Sequence, residues 1–161
     1  EPMIVIKPDF LAVGKEHIIH FQNDVNFNAA KKVRLEFWNV LRHKINNSKF
    51  NNTYTAIAKL PEGLTDYMHY TPFIEVFNLE DIPSDMIGLE IPTHKYAVFK
   101  YLFLHSIEEH SVKDIKNILC HINKWLNKSN NKIADYFIIE KIEVKDYNDG
   151  YLEIEYYIPI T

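Results

Sequence analysis

The chain contains 161 residues, of which 47% are hydrophobic and 25% are charged, and its formal net charge is −4. This balance is typical of a single folded domain and excludes an intrinsically disordered chain. Because an acidic total disfavours contacts with phosphates, we expect no direct nucleic-acid binding by this chain. No apolar run approaches the about 20 residues that cross a bilayer, and Cys120 is the single cysteine. We therefore expect a cytoplasmic protein with no membrane partner.

Aromatic side chains are unusually frequent for a domain of this size. The chain has 10 Tyr, 10 Phe and 2 Trp, together 14% of its residues, against only 4 Gly. Rings with polar tips can line a pocket, but they can equally well fill a core. Composition alone leaves both interpretations open.

The first half predicts strand, helix, strand, strand. Residues 3–21 are rich in β-branched side chains and predict a strand that bends or pauses near Pro8. A helical repeat of apolar residues then predicts an amphipathic helix of about 17 residues; these residues are Val33, Phe37, Val40, Leu41 and Ile45. Residues 53–60 and 67–77 predict two strands joined by a turn at 61–63.

The second half follows an irregular link over residues 78–95. Residues 95–105 predict a strand, and Ser111 with Asp114 resembles a capping box that opens a helix. The apolar face of this helix consists of Ile115, Ile118, Leu119, Ile122 and Leu126. Residues 134–144 and 151–160 predict two strands joined by a hairpin turn through 148–150.

The two halves therefore have the same predicted order, over about residues 4–77 and 95–160. Each helix also carries one tryptophan beside its apolar stripe, Trp38 and Trp125. We interpret the chain as one α+β domain, residues 1–161, built from two βαββ units. The repeat is one of pattern, since few residues are identical between the halves.

The last predicted strand carries acidic residues among rings. Because alternate residues of a strand face opposite sides, Tyr151, Glu153, Glu155 and Tyr157 share one face, and Leu152, Ile154, Tyr156, Ile158 and Ile160 share the other. A solvated sheet face is one interpretation of the first set. A carboxylate between aromatic walls that attracts a lipophilic cation is the other.

Two segments resemble the second half of the GyrI-like, or AraC-type, effector-binding domains. These are the run from the strand with Tyr96-Ala97-Val98-Phe99 to the helix end Trp125-Leu126, and the final Glu155-Tyr156-Tyr157-Ile158-Pro159-Ile160. The opening strand and the Phe37-Trp38 helix of the first half are similar to the family more loosely. After Trp125-Leu126, this chain lacks the proline and the glycine-containing turn that the family often has.

The resemblance implies duplicated βαββ units with pseudo-two-fold symmetry around a central ligand cleft. It further implies a ligand-facing glutamate on the last strand, matched here by Glu155. Such domains sense drugs and other hydrophobic, often cationic, molecules, either alone or fused to a DNA-binding module. We therefore predict a small-molecule effector site made of Glu155 with the rings of Trp38, Tyr54, Tyr70, Trp125 and Tyr157. Alternation along its strand places Tyr70 on the face opposite Phe73 and Glu75.

Two other functions remain open at the level of the sequence. A buried glutamate beside tyrosines could hydrolyse strained electrophiles, as some members of the family do, although the spacing shows no second catalytic group. A gyrase-modulating protein-binding module is the other alternative. The eight histidines show no tight Cys/His pairing, so we expect no metal and no cofactor, and we assign no catalytic residue.

Overall fold

The computed structural model describes residues 1–20, 28–50, 52–59, 67–103, 112–143 and 152–161. Two α-helices, a short 3₁₀ helix at Leu41–Lys44 and nine strands lie within these ranges. In chain order they are β1 (Met3–Lys7), β2 (Phe10–Gly14), β3 (His17–His20), α1 (Asn28–Asn39), β4 (Thr53–Lys59), β5 (Tyr67–Val76), β6 (Ile87–Ile91), β7 (His94–Phe103), α2 (Val112–Ser129), β8 (Phe137–Glu143) and β9 (Leu152–Ile160). Neither α-helix, where described, is long and apolar enough to cross a membrane.

The strands form one antiparallel sheet in the order β1-β7-β9-β8-β4-β5-β2-β6, with β3 paired to β5. The predicted α+β class is confirmed. Strands β4 and β8 pair at the centre, and the order then runs β5, β2 on one side and β9, β7 on the other. Each half therefore places its second strand at the centre and its first strand outside its third.

The structure differs from the sequence interpretation in three places. Residues 3–20 form three strands rather than one, with the first break at Pro8 and Asp9 as expected, and β1 pairs with β7 of the second half. The first helix is α-helical only to Asn39, and a 3₁₀ turn continues it. The predicted irregular link contains β6, because the edge of β2 accepts a further strand with Phe10 opposite Ile91. The predicted turns at 61–63 and 148–150 and the cap residue Ser111 lie outside the described residues.

The sheet is strongly curled. Strands β1 and β2 are six positions apart in the strand order, which would separate them by about 29 Å in a flat sheet. Yet only Pro8 and Asp9 connect them, and the chain from Lys7 to Phe10 spans at most about 11 Å. The two ends of the sheet must therefore approach each other. The ion pair between Lys7 Nζ and Glu75 Oε2 of β5, at 3.6 Å, joins them.

Curling gives the sheet an inner and an outer face, each with its own core. The outer face packs against the helices, which contribute Ala30 and Phe37 from α1 and Ile118, Ile122 and Leu126 from α2. The inner face holds a second cluster, formed by Phe10, Ala12, Ile57, Phe73, Ile91, Tyr96, Val98, Phe137 and Ile139. We use "helix face" and "inner face" for these two sides below.

Candidate functional site: a buried carboxylate on the helix face

The central strand β8 places one carboxylate inside the helix-face core. Alternation along β8 points Ile138, Glu140 and Ile142 to the same side, and Glu140 is only 6% exposed. Across the sheet, Ala56 of β4 lies opposite Glu140. The small alanine side chain leaves room for the groups that surround the carboxylate. An ionised carboxylate at such a position is costly unless it is paired or hydrogen-bonded.

Tyrosine hydroxyls satisfy the two carboxylate oxygens. The Tyr70 hydroxyl donates to Glu140 Oε1 at 2.9 Å, and the Tyr156 hydroxyl donates to Oε2 at 3.2 Å. Tyr156 lies directly opposite Glu140 in the β8–β9 register, so the strand pairing itself fixes this contact. The Tyr54 hydroxyl forms a 2.8 Å hydrogen bond with that of Tyr70. Together, these side chains form a connected polar network inside an apolar core.

The positive charge of this network comes from α1. Arg34 is 6% exposed, and its Nε and Nη2 donate to Glu140 Oε1 and Oε2 at 3.3 and 3.4 Å. Its Nε also contacts the Tyr70 hydroxyl at 3.2 Å. Arg34 follows Ala30 by four residues and precedes Phe37 by three, so it lies on the helix stripe that faces the sheet. We call Glu140, Arg34, Tyr54, Tyr70 and Tyr156 the carboxylate cluster.

Burial and charge shift the pKa values inside the carboxylate cluster. Burial raises the pKa of Tyr54, Tyr70 and Tyr156 well above 10, and the negative charge of Glu140 raises each further. Burial alone lowers the pKa of Arg34, but Glu140 and the neighbouring phenols raise it by more, so it lies above its usual value. The phenols are therefore neutral donors, and Arg34 is a permanent cation.

Aromatic rings extend from the carboxylate cluster toward both helices. Trp38 of α1 makes an edge-on contact with Tyr54, with ring centroids 6.5 Å apart. Trp125 of α2 contacts Phe99 in the same way at 5.5 Å. Both tryptophans are partly buried against the helix-face core. Through Tyr54, the carboxylate cluster is thus in contact with the partly buried ring of Trp38 on α1.

The predicted site residues divide between the two faces of the sheet. Trp38, Tyr54, Tyr70 and Trp125 lie on the helix face. Glu155 and Tyr157 lie on the inner face, because odd positions of β9 point away from Ile154, Tyr156 and Ile158. The sequence interpretation expected Glu155 beside a tryptophan. The structure instead places Glu155 and both tryptophans on opposite faces of the sheet. Glu155 is half-buried and lies in register with Lys100 and Lys141.

The inner face has a cavity of about 120 Å³. Apolar and aromatic side chains line most of it, among them Phe10, Phe73, Ile139 and Tyr157. Its charged groups are Lys7, Lys141 and Glu75, and Glu75 is already paired with Lys7 at 3.6 Å and Lys49 at 3.9 Å. Lys141 in turn lies 3.9 Å from Glu143 Oε1 and in register with Glu155, so each charged group that lines this cavity already has a partner of opposite charge.

Sequence reasoning missed Glu140, Arg34 and Tyr156, although the sequence contains a signal for each. Glu140 is the one acidic residue between Ile138 and Ile142 on an otherwise apolar strand face. In the same way, Tyr156 is the one residue with a polar group between Ile154 and Ile158 on the apolar face of β9. Arg34 interrupts the apolar stripe of α1. Polar residues on apolar faces are the informative exceptions to hydrophobic patterning.

A mostly antiparallel sheet with two helices is the fold of the GyrI-like effector-binding domains. The chain belongs to the Cass2 family of integron-associated effector-binding proteins, whose sequence model matches residues 3–160. The family resemblance seen in the sequence is thus confirmed, and this chain is an effector-binding protein. No curated protein matches it.

Solved structures show the same fold at low sequence identity. SAV2435 bound to tetraphenylphosphonium is 15% identical with a TM-score of 0.71, and the match covers 100% of this chain and 94% of SAV2435. The EcmrR C-terminal domain is 10% identical with a TM-score of 0.75, covering 100% and 97%. An integron cassette protein from Vibrio cholerae is 10% identical with a TM-score of 0.64, covering 99% and 95%. In an EcmrR–DNA complex, the match covers 57% of the EcmrR chain.

Proposed function

We propose that the effector of this domain is a lipophilic organic cation, and that Glu140 supplies the negative charge that binds it. The observation that carries this proposal is a carboxylate held in the apolar core by tyrosine hydroxyls and surrounded by rings. This assignment replaces Glu155, whose side chain lies on the other face of the sheet. Trp38, Tyr54, Tyr70 and Trp125 remain the proposed aromatic walls, and Tyr156 joins them.

The environment of Glu140 favours an organic cation over a hydrated metal ion. Away from water, the attraction between opposite charges is much stronger than at an exposed site. A cation with delocalised charge loses little hydration on entering such a site, and each ring face contributes about 0.5–2 kcal/mol of further attraction. Tetraphenylphosphonium, the ligand of SAV2435, has this chemistry.

The ligand must displace side chains to reach Glu140. The carboxylate is 6% exposed, and Arg34 and the tyrosines occupy its surroundings. We infer that the ligand enters beneath the helices, where Trp38 and Trp125 are partly exposed. A helix layer that moves when the ligand binds would give the domain a signal to transmit.

We also propose that the two βαββ units are related by a pseudo-two-fold axis between β4 and β8, within one domain over residues 1–161. The shared strand order supports this relation. In such an arrangement the ligand lies between the two units. Because an EcmrR chain that contains this fold binds DNA, we propose a fused or partner DNA-binding module as the receiver of the signal.

The test is calorimetric titration with tetraphenylphosphonium and with neutral triphenylphosphine oxide. Glu140→Gln should weaken binding of the cation by about 1–3 kcal/mol, the range for contacts with a charged group, and should change binding of the neutral compound less. Glu155→Gln is the matched control on the inner face and should leave both affinities unchanged.

Folding is checked by circular dichroism. If Glu140→Gln alone does not fold, Arg34→Met is compared with Arg34→Met/Glu140→Gln, in which both buried charges are removed. Equal affinity for the cation with and without the Glu140 carboxylate would contradict the proposal. Loss of binding in Glu155→Gln alone would assign the site to the inner face.

A further inference from the structure

The carboxylate cluster already contains an organic cation with delocalised charge, the Arg34 guanidinium, and the proposed ligand is of the same kind. The Arg34 guanidinium contacts both oxygens of Glu140 and lies 5.8 Å from the centre of the Tyr70 ring. A guanidinium is planar, delocalised and weakly hydrated, and it binds carboxylates and aromatic faces in the same way as an organic cation. Arg34 thus makes both kinds of contact that a lipophilic cation would make.

We propose that Arg34 is an internal competitor of the effector, and that a cation binds Glu140 only when Arg34 leaves it. This inference rests on the proposed function of Glu140. It assigns to Arg34 a role in affinity and selectivity beyond its part in the folded core.

Charge balance requires the exchange. If Arg34 stayed in place, the bound site would hold two cations and one carboxylate, which leaves one buried charge unpaired. An unpaired buried charge is among the most costly arrangements in a protein. A ligand that replaces Arg34 keeps the site neutral, whereas a neutral ligand gains nothing at the carboxylate. The arginine would therefore exclude weak and uncharged competitors.

The geometry of the pair is compatible with release. The two Arg34–Glu140 hydrogen bonds measure 3.3 and 3.4 Å, longer than the roughly 2.7–2.9 Å usual for charged donors and acceptors. The tyrosine hydroxyls of Tyr70 and Tyr156 continue to satisfy Glu140 when Arg34 is absent. Arg34 belongs to α1, so its release couples the occupation of the site to this helix.

When a site is open in only a fraction of the molecules, its apparent affinity equals its intrinsic affinity multiplied by that fraction. If Arg34 is released in about 10% of molecules or fewer, Arg34→Met should bind tetraphenylphosphonium about tenfold or more tightly than the wild type. Lys32→Met removes the same charge from an exposed position of the same helix and should change the affinity less than about twofold.

Two outcomes separate this inference from the proposed function. If Glu140→Gln weakens binding while Arg34→Met binds no more tightly than the wild type, Arg34 is not a competitor, although Glu140 remains the binding carboxylate. If Glu140→Gln has no effect, the proposed site itself is wrong.

A measurement on the wild type covers the case in which Arg34→Met does not fold. The Nε–H of a buried arginine exchanges slowly with solvent, so its nitrogen-15 NMR signal, assigned with Arg34→Lys, reports on release. Saturation with tetraphenylphosphonium should shift this signal and abolish its protection. An Arg34 signal that stays protected and unshifted in the saturated complex would overturn the proposal.

Discussion

The two faces of the sheet each hold a carboxylate paired with a basic side chain, but in opposite environments. On the helix face, the side chains of Arg34 and Glu140 are 7% and 8% exposed and are surrounded by phenols. On the inner face, the side chains of Glu75 and Lys7 are 16% and 34% exposed, and Lys49 shares the carboxylate. Water screens the second pair and scarcely reaches the first. Opposite charges therefore interact strongly on the helix face and weakly on the inner face.

The largest expected effect on stability comes from removing the carboxylate charge of the buried pair, and the same change in the exposed pair is its comparison. Glu140→Gln leaves Arg34 buried without its counter-ion and should lower the free energy of unfolding by about 3–5 kcal/mol. Glu75→Gln is the inner-face counterpart and should cost about 0–1 kcal/mol, because Lys7 and Lys49 can turn to solvent. Urea denaturation measures both values.

A third variant shows whether the unpaired charge of Arg34 causes the loss of stability in Glu140→Gln. Arg34→Met/Glu140→Gln removes both buried charges and should recover most of the stability that Glu140→Gln loses. Similar losses for Glu140→Gln and Glu75→Gln would show that burial does not distinguish the two pairs.

Alkaline pH should act mainly through the helix face. The folded-state pKa values of Tyr54, Tyr70 and Tyr156 lie well above 10, chiefly because of burial, whereas these phenols ionise near pH 10 in the unfolded chain. Their contribution to stability is therefore complete below pH 10 and is lost as the pH rises above it. Above pH 10, each phenol that stays neutral in the folded state lowers the free energy of unfolding by about 1.4 kcal/mol per pH unit.

Absorbance at 295 nm follows the ionisation, and urea denaturation at pH 8, 10 and 11 follows the stability. On the inner face, burial raises the pKa of Tyr96 to about 12, so this phenol adds a loss of similar size over the same interval, whereas the helix face holds three such phenols. We expect Tyr54→Phe to reduce the loss of stability between pH 10 and 11. Stability that stays constant over this interval would contradict the burial of these phenols.

Most of the fold could be predicted from the sequence, since it follows from local patterns. Alternation in β9 and the helical stripe of α2 fixed their buried faces, and the repeated order of elements indicated the α+β class. The curl could not be predicted, because it depends on β1 pairing with β7 at one end of the sheet while β2, which follows after only Pro8 and Asp9, pairs near the other end. The alternation in β9 also does not show that its other face meets a second apolar cluster, which the curl of the sheet encloses.

The site was predicted in part for the same reason. Tyr54 and Tyr70 were named as ring residues, and they lie in the carboxylate cluster. The sequence predicts the carboxylate on β9, where acids are numerous, whereas Glu140 is isolated on an apolar face of β8. The 106-residue separation of Arg34 from Glu140 is a tertiary contact that no local spacing reveals.

The smallest expected effect, and the sharpest comparison of the two faces, comes from neighbouring tyrosines of β9. Tyr156→Phe removes the hydroxyl that donates to Glu140 Oε2 at 3.2 Å. It should cost about 1.5–3 kcal/mol, the usual range for a hydrogen bond to a charged group. Tyr157→Phe changes the same atom one residue further on, but on the inner face, and should alter stability by less than about 0.5 kcal/mol.

Urea denaturation at pH 7 measures the free energy of unfolding of Tyr156→Phe and Tyr157→Phe. Both variants keep the ring and its packing. Any difference therefore reports on the hydroxyl alone. Tyr156→Phe should also weaken tetraphenylphosphonium binding, because a donor that holds the Glu140 carboxylate in position is lost. If Tyr157→Phe were the more damaging change in both measurements, the face that carries the functional carboxylate would be the inner one, and the assignment to Glu140 would fail.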